Sequence, residues 1–106
     1  MMWNSNGGKS VTEGKRLLAL IAQGRFLLSV HAFERHQTRA ISEADIRRCA
    51  RTAVEVRWQE VHESWRLEGK DTDGARLVVA AILEDEAVIV TAFRPEGDPR
   101  TPRRKQ

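Results

Sequence analysis

The feature that most constrains this chain is a change of hydrophobic period near residue 53. Before it, apolar residues recur every three or four positions, as on one face of a helix; after it, they recur every second position, as in strands. A chain that places its helices first and its strands afterwards predicts an α+β domain. Two to three N-terminal helices would pack on one face of a four-stranded antiparallel sheet.

The first helix is predicted over Val11 to Gln23, where Leu17, Leu18, Ile21 and Ala22 form a stripe that Leu20 broadens. Ser10 or Thr12 can cap it and Gly24 can end it. Phe26 to Val30 is short and apolar, either an extended link or the entry to a second helix over Val30 to Arg39, with Ser29 as its cap. In that helix Ala32 and Phe33 are expected on the buried side. The strongest start signal follows: Ser42 and Asp45 have the spacing of a capping box, flanked by Ile41 and Ile46 as a hydrophobic staple. That third helix should run to Ala50 or Thr52.

Four strands are predicted beyond it. Ala53 to Val61 and Ser64 to Lys70 alternate apolar and polar residues, and Asp73-Gly74 supports a hairpin turn. Arg76 to Leu83 and Ala87 to Phe93 are apolar on successive positions, as expected of interior strands. Trp58 and Trp65 should be cross-strand core neighbours.

With 106 residues the chain has room for one domain, placed here over residues 11–95. Residues 1–10 read as a polar leader. Residues 96–106, with their prolines, Arg100, Arg103, Arg104 and Lys105, read as a flexible basic tail. The single cysteine, Cys49, excludes an internal disulfide and a Cys-rich zinc site, and it reads as a buried thiol in a reducing compartment. The longest apolar run is too short to cross a bilayer. The expectation is a soluble, cytoplasmic protein without cofactor or metal.

Net charge is +3, and of 18 basic residues 14 are Arg. The guanidinium fork suits phosphate and carboxylate. A basic, Arg-rich domain fits either nucleic acid or an acidic protein partner. The most informative stretch is His31 to Arg39. On a helix His31, Arg35 and Arg39 are four apart and share a face, although like charges at that spacing repel. A histidine beside two arginines can move a proton and hold a phosphodiester without a metal. A solvated helix face is the plain alternative. Arg47 and Arg48 on the third helix are further candidates for nucleic-acid contact. His36 and His62 read as surface residues. Lys9-Ser10 after Gly7-Gly8 lacks the strand and spacing of a phosphate-binding loop.

Together these residues resemble a bacterial family described as domain of unknown function 4258. The resemblance rests on Ser29-Val30-His31-Ala32-Phe33-Glu34-Arg35, Arg39-Ala40-Ile41-Ser42, Asp45-Ile46, Asp73-Gly74 and Val88 to Pro95. The family is similar to RelE/ParE-type toxins, with helices followed by an antiparallel sheet. The resemblance implies a toxin of a bacterial toxin–antitoxin system, acting on RNA or at the ribosome as an mRNA-interferase-like endoribonuclease. Its cognate antitoxin would often carry a small zinc-binding domain. It places His31, Arg35, Arg39 and Thr91 as catalytic candidates, and Arg94 beside Arg47 and Arg48 as a nucleic-acid contact. Family members often have His where this chain has Val78, and Tyr where it has Phe93; the chain contains no Tyr. These departures leave a non-enzymatic protein-binding module, or a general nucleic-acid-binding protein, as alternatives.

Overall fold

The computed structural model of the chain describes residues 10–97, and of residues 35–38 the backbone alone. Most of the expected leader and tail lie outside the described residues. The helices fall where the periodicity puts them: α1 (Val11–Ala22), α2 (Val30–Thr38) and α3 (Glu43–Arg51). Ser10 caps α1, its hydroxyl accepting from the Glu13 N–H at 3.0 Å. Gly24, at φ +80°, reverses the chain beyond α1, and the Arg25 N–H bonds back to the Leu20 carbonyl. At α3 the capping box forms in full: Ser42 Oγ accepts from the Asp45 N–H and Asp45 Oδ2 accepts from the Ser42 N–H, at 3.1 and 2.9 Å.

The sheet differs from the expectation. It has five strands in the order β1 (Phe26–Leu28), β5 (Ala87–Phe93), β4 (Arg76–Leu83), β3 (Ser64–Lys70), β2 (Glu55–Gln59). The short apolar link is itself a strand and pairs parallel with β5, Leu27 opposite Val88. The remaining pairings are antiparallel, so the sheet is mixed rather than purely antiparallel. Three residues are too few to show a period, which is why the sequence pattern leaves this strand open. β4 and β5 are interior, in keeping with their unbroken apolar runs.

α1 and α3 cover one face of the sheet. There Leu17, Ile21, Ile46 and Cys49 pack on Trp65, Leu67, Leu77, Val79, Ala81 and Ile89. Trp58 and Trp65 are directly paired and meet edge to face, with centroids 5.6 Å apart. Gly69 lets α3 approach: a Cβ there would stand 2.2 Å from the Cys49 carbonyl oxygen. Cys49 is buried, as expected, and its thiol donates to the Leu77 carbonyl.

Near the middle of β5 the ladder slips. Ala80 pairs Thr91 but Ala81 pairs Ile89, so Val90 is the extra residue of a bulge. Ser29 reads that irregularity. Its N–H donates to the Ile89 carbonyl, its hydroxyl donates to the Val90 carbonyl, and the same hydroxyl accepts from the Ala32 N–H as a helix cap. The bulge thus fixes the entry of α2, which packs against β5 and β1. Ala32 is buried there as expected, whereas Phe33 is 54% exposed, because α2 presents only a narrow side to the sheet.

Candidate functional site

The helix residues singled out by spacing do not gather as a unit. His31 is exposed in the first turn of α2 and makes no hydrogen bond or ion pair with another described residue. The Arg35 and His36 side chains lie outside the described residues. Arg39 stands just past the end of α2 and reaches the other way, onto β5. Its guanidinium donates to the Ala92 carbonyl at 2.7 Å and to Thr91 Oγ1 at 3.4 Å. Of the four catalytic candidates, the structure therefore brings Arg39 and Thr91 together.

Thr91 also lines a concavity on the open face of the sheet. Strand alternation places Thr91 and Phe93 on the face of the sheet away from α1 and α3. Through the registers they share it with Ala80 and Val78 on β4, Arg66 and Glu68 on β3, and Arg57 and Glu55 on β2. A groove of about 530 Å³ runs across this face. Gln59, His62, Ser64 and Arg66 form its polar side; Val78, Ala80, Val90 and Phe93 form its apolar side, with Thr91 among them. Neither His31 nor Arg39 lines it.

The electrostatics of this face are uneven. Arg57 and Arg66 are directly opposite each other across β2 and β3, an arrangement that costs stability unless something anionic relieves it. Arg57 leans on Glu55 at 3.1 Å. Arg66 has only a 3.6 Å approach to Glu68, a carboxylate that Arg76 also binds. The Nε of Arg66 is buried and has no hydrogen-bond partner. The partly exposed guanidinium, on a face with a histidine and two hydroxyls, can donate to a phosphate or carboxylate. His62 adds an imidazole to the same lining, a side chain of the kind that serves as general acid or base.

A family model, Domain of unknown function (DUF4258), matches residues 28–94. The chain belongs to the DUF4258 family. No curated protein and no solved structure matches it. The DUF4258 match spans every residue that lines the groove and leaves out α1.

The DUF4258 segment ends on Arg94, which proves to be interior rather than a surface contact. The correction to its expected role in meeting nucleic acid is geometric: its side chain is 2% exposed and its donors are engaged. Nε donates to Asp71 Oδ2 at 2.8 Å, Nη1 to the Arg39 carbonyl and Nη2 to the Ala40 carbonyl, with Asp45 Oδ2 at 3.5 Å. Asp45 in turn accepts from the N–H and hydroxyl of Thr72. This hub joins β5, the β3–β4 turn, the start of α3 and the loop after α2, and so it sets where Arg39 stands. Burial would raise the carboxyl of Asp71, but hydrogen bonds from Arg94 and the Ala75 and Asp73 amides outweigh it and hold the group below its usual range.

Arg47 and Arg48 sit on α3, on the opposite side of the molecule from the groove. Among the described residues no three His, Cys, Asp or Glu side chains gather to hold a metal ion, and no helix is long and apolar enough to cross a membrane. Sequence reasoning missed His62 and Arg66. The alternation of Ser64, Arg66 and Glu68 was visible, but only the β3–β4–β5 register puts those residues beside Thr91.

Proposed function

We propose that this domain acts on RNA as a toxin-like module of RelE/ParE type, and that the groove on the open sheet face is where a single-stranded segment lies. Arg66 takes a phosphate, His62 moves the proton, and the hydroxyls of Ser64 and Thr91 orient the backbone. Phe93 offers a face on which a base can stack. The observation that carries this reading is that Arg66, whose buried Nε has no hydrogen-bond partner, lines the same groove as His62. Such a set suits metal-independent cleavage of a phosphodiester, with the arginine meeting charge on the phosphate oxygens.

The test is expression of the protein without a neutralising partner, together with incubation of the purified protein with single-stranded RNA in chelator. Slowed growth and RNA shortening, both relieved by Arg66→Gln, support the proposal. Equal growth inhibition by the variant, or intact RNA with the wild-type protein, counts against it.

A second reading is a non-enzymatic module that binds a partner protein such as an acidic antitoxin. The apolar floor favours it: Val78 and Phe93 line the groove at the positions where the family resemblance implies His and Tyr. A stable complex with an acidic protein from the native host, with no RNA cleavage in vitro, would select this reading.

A further inference from the structure

α3 carries Arg47, Arg48 and Arg51 around a depression of about 280 Å³ that Ala44 and Thr72 complete. Arg47 and Arg51 are four apart, Arg48 and Arg51 three apart, so their Cβ atoms are about 5–6 Å from each other. None of the three forms an ion pair with a described residue, and Glu43, one turn before Arg47, does not neutralise it. Asp45 is buried and turned toward Ser42, Thr72 and Arg94 instead. Arg51 uses Nε on the Ala22 carbonyl, at the end of α1, and Arg47 lays its stem over Gly24. These two anchors hold the cluster in place.

We infer that this depression is a second anion site, one that takes the phosphate backbone of a nucleic acid. The buried side of α3 faces β3 and β4, so the site lies on the face opposite the groove and can be filled at the same time. It uses different residues and stands whether or not the groove binds RNA. Three like charges within a helix turn repel, and an anion placed among them removes that cost. An acidic protein segment would need apolar or aromatic anchors at the centre of its footprint. The lining provides only Ala44, whereas guanidinium forks without a carboxylate match phosphate oxygens.

The experiment is fluorescence anisotropy of the full chain with a labelled single-stranded RNA, and with the same sequence as a duplex, over a salt series. Arg47→Gln with Arg48→Gln is compared with wild type and with Arg66→Gln, each checked for folding by circular dichroism. Both substitutions keep an aliphatic stem, and Arg48→Glu alone, at an exposed position, serves if the pair fails to fold. The expected result is affinity weakened about tenfold or more at physiological salt. The slope of log K against log salt should flatten by about 1.4 for the single strand or about 1.8 for the duplex. Wild-type affinity and slope in the α3 variants overturn the site, even if Arg66→Gln alone abolishes binding and upholds the groove. Polyglutamate binding that depends on Arg47 and Arg48, with RNA binding unchanged, would assign the surface to an acidic protein and overturn the proposal too.

Discussion

Val78 and Phe93 are cross-strand partners on β4 and β5, and both line the groove on the open face of the sheet. They are the two positions at which the family resemblance implies His and Tyr. Two positions far apart in sequence thus meet at one point of the groove. If the groove cleaves RNA as proposed, Phe93→Tyr, alone or with Val78→His, adds polar groups able to assist proton transfer. RNA cleavage by the double variant should exceed wild type by about tenfold or more, within the range that a positioned acid or base supplies. A folded double variant that cleaves no faster contradicts this.

The Arg94–Asp71 pair makes a prediction about acid stability. Asp71 and Asp45 are both held below their usual range in the folded state. For Asp45, burial opposes the shift and hydrogen bonds from Ser42 and Thr72 outweigh it. A depressed carboxyl contributes stability that is fully present above its unfolded value of about 3.9 and is lost as pH falls through the folded values. The urea midpoint should therefore drop below about pH 5, and Asp71→Asn should flatten that dependence. Arg94→Met strands a buried carboxylate and should cost about 3–5 kcal/mol at neutral pH. A midpoint unchanged between pH 6 and about pH 3 would contradict the hub's role.

Gly69→Ala tests the approach of α3 to the sheet. The new methyl would meet the Cys49 carbonyl and lie 2.9 Å from Thr52 Oγ1, both on the helix that must shift. The expected loss is about 1–3 kcal/mol or somewhat more, read as a fall in Tm of roughly 4–8 °C per kcal/mol. An unchanged Tm would mean that α3 does not press on Gly69.

Cys49 should be inert in the native protein. Burial pushes its thiol up to about 12, and the nearby charges of Glu68 and Asp71 add to the rise against a Gly69 backbone hydrogen bond. Labelling by a thiol reagent at pH 8 should follow global unfolding, with full reaction only in denaturant. Stoichiometric labelling of the folded protein within minutes would contradict the packing of α3.

Much of the fold was legible in the sequence because its signals are local. The Ser42–Asp45 box, the stripe of Leu17 and Ile21 and the alternation of Trp65 and Leu67 each act within one element, and each appears as read. β1 was not legible: its stability comes from pairing with Ala87–Ile89, some sixty residues away, and three apolar residues carry no period of their own. The site was legible in part for the same reason. Thr91 could be named, but its neighbours depend on register. His62, read as a surface residue at a strand apex, and Arg66, one of several strand arginines, become interesting only once β3, β4 and β5 are aligned. Arg94 shows the reverse case, since an arginine beside Pro95 near a basic tail looks exposed until two distant carboxylates, Asp45 and Asp71, are found around it.

Amide chemical-shift mapping with a titrated single-stranded RNA distinguishes the open sheet face from the exposed side of α2 as the proposed RNA surface. With RNA on the sheet face, Gln59, His62, Ser64, Arg66, Thr91 and Phe93 should move together along one binding curve, and Arg66→Gln should suppress those shifts. Shifts centred on His31 while the β3 and β5 amides stay still would contradict that placement.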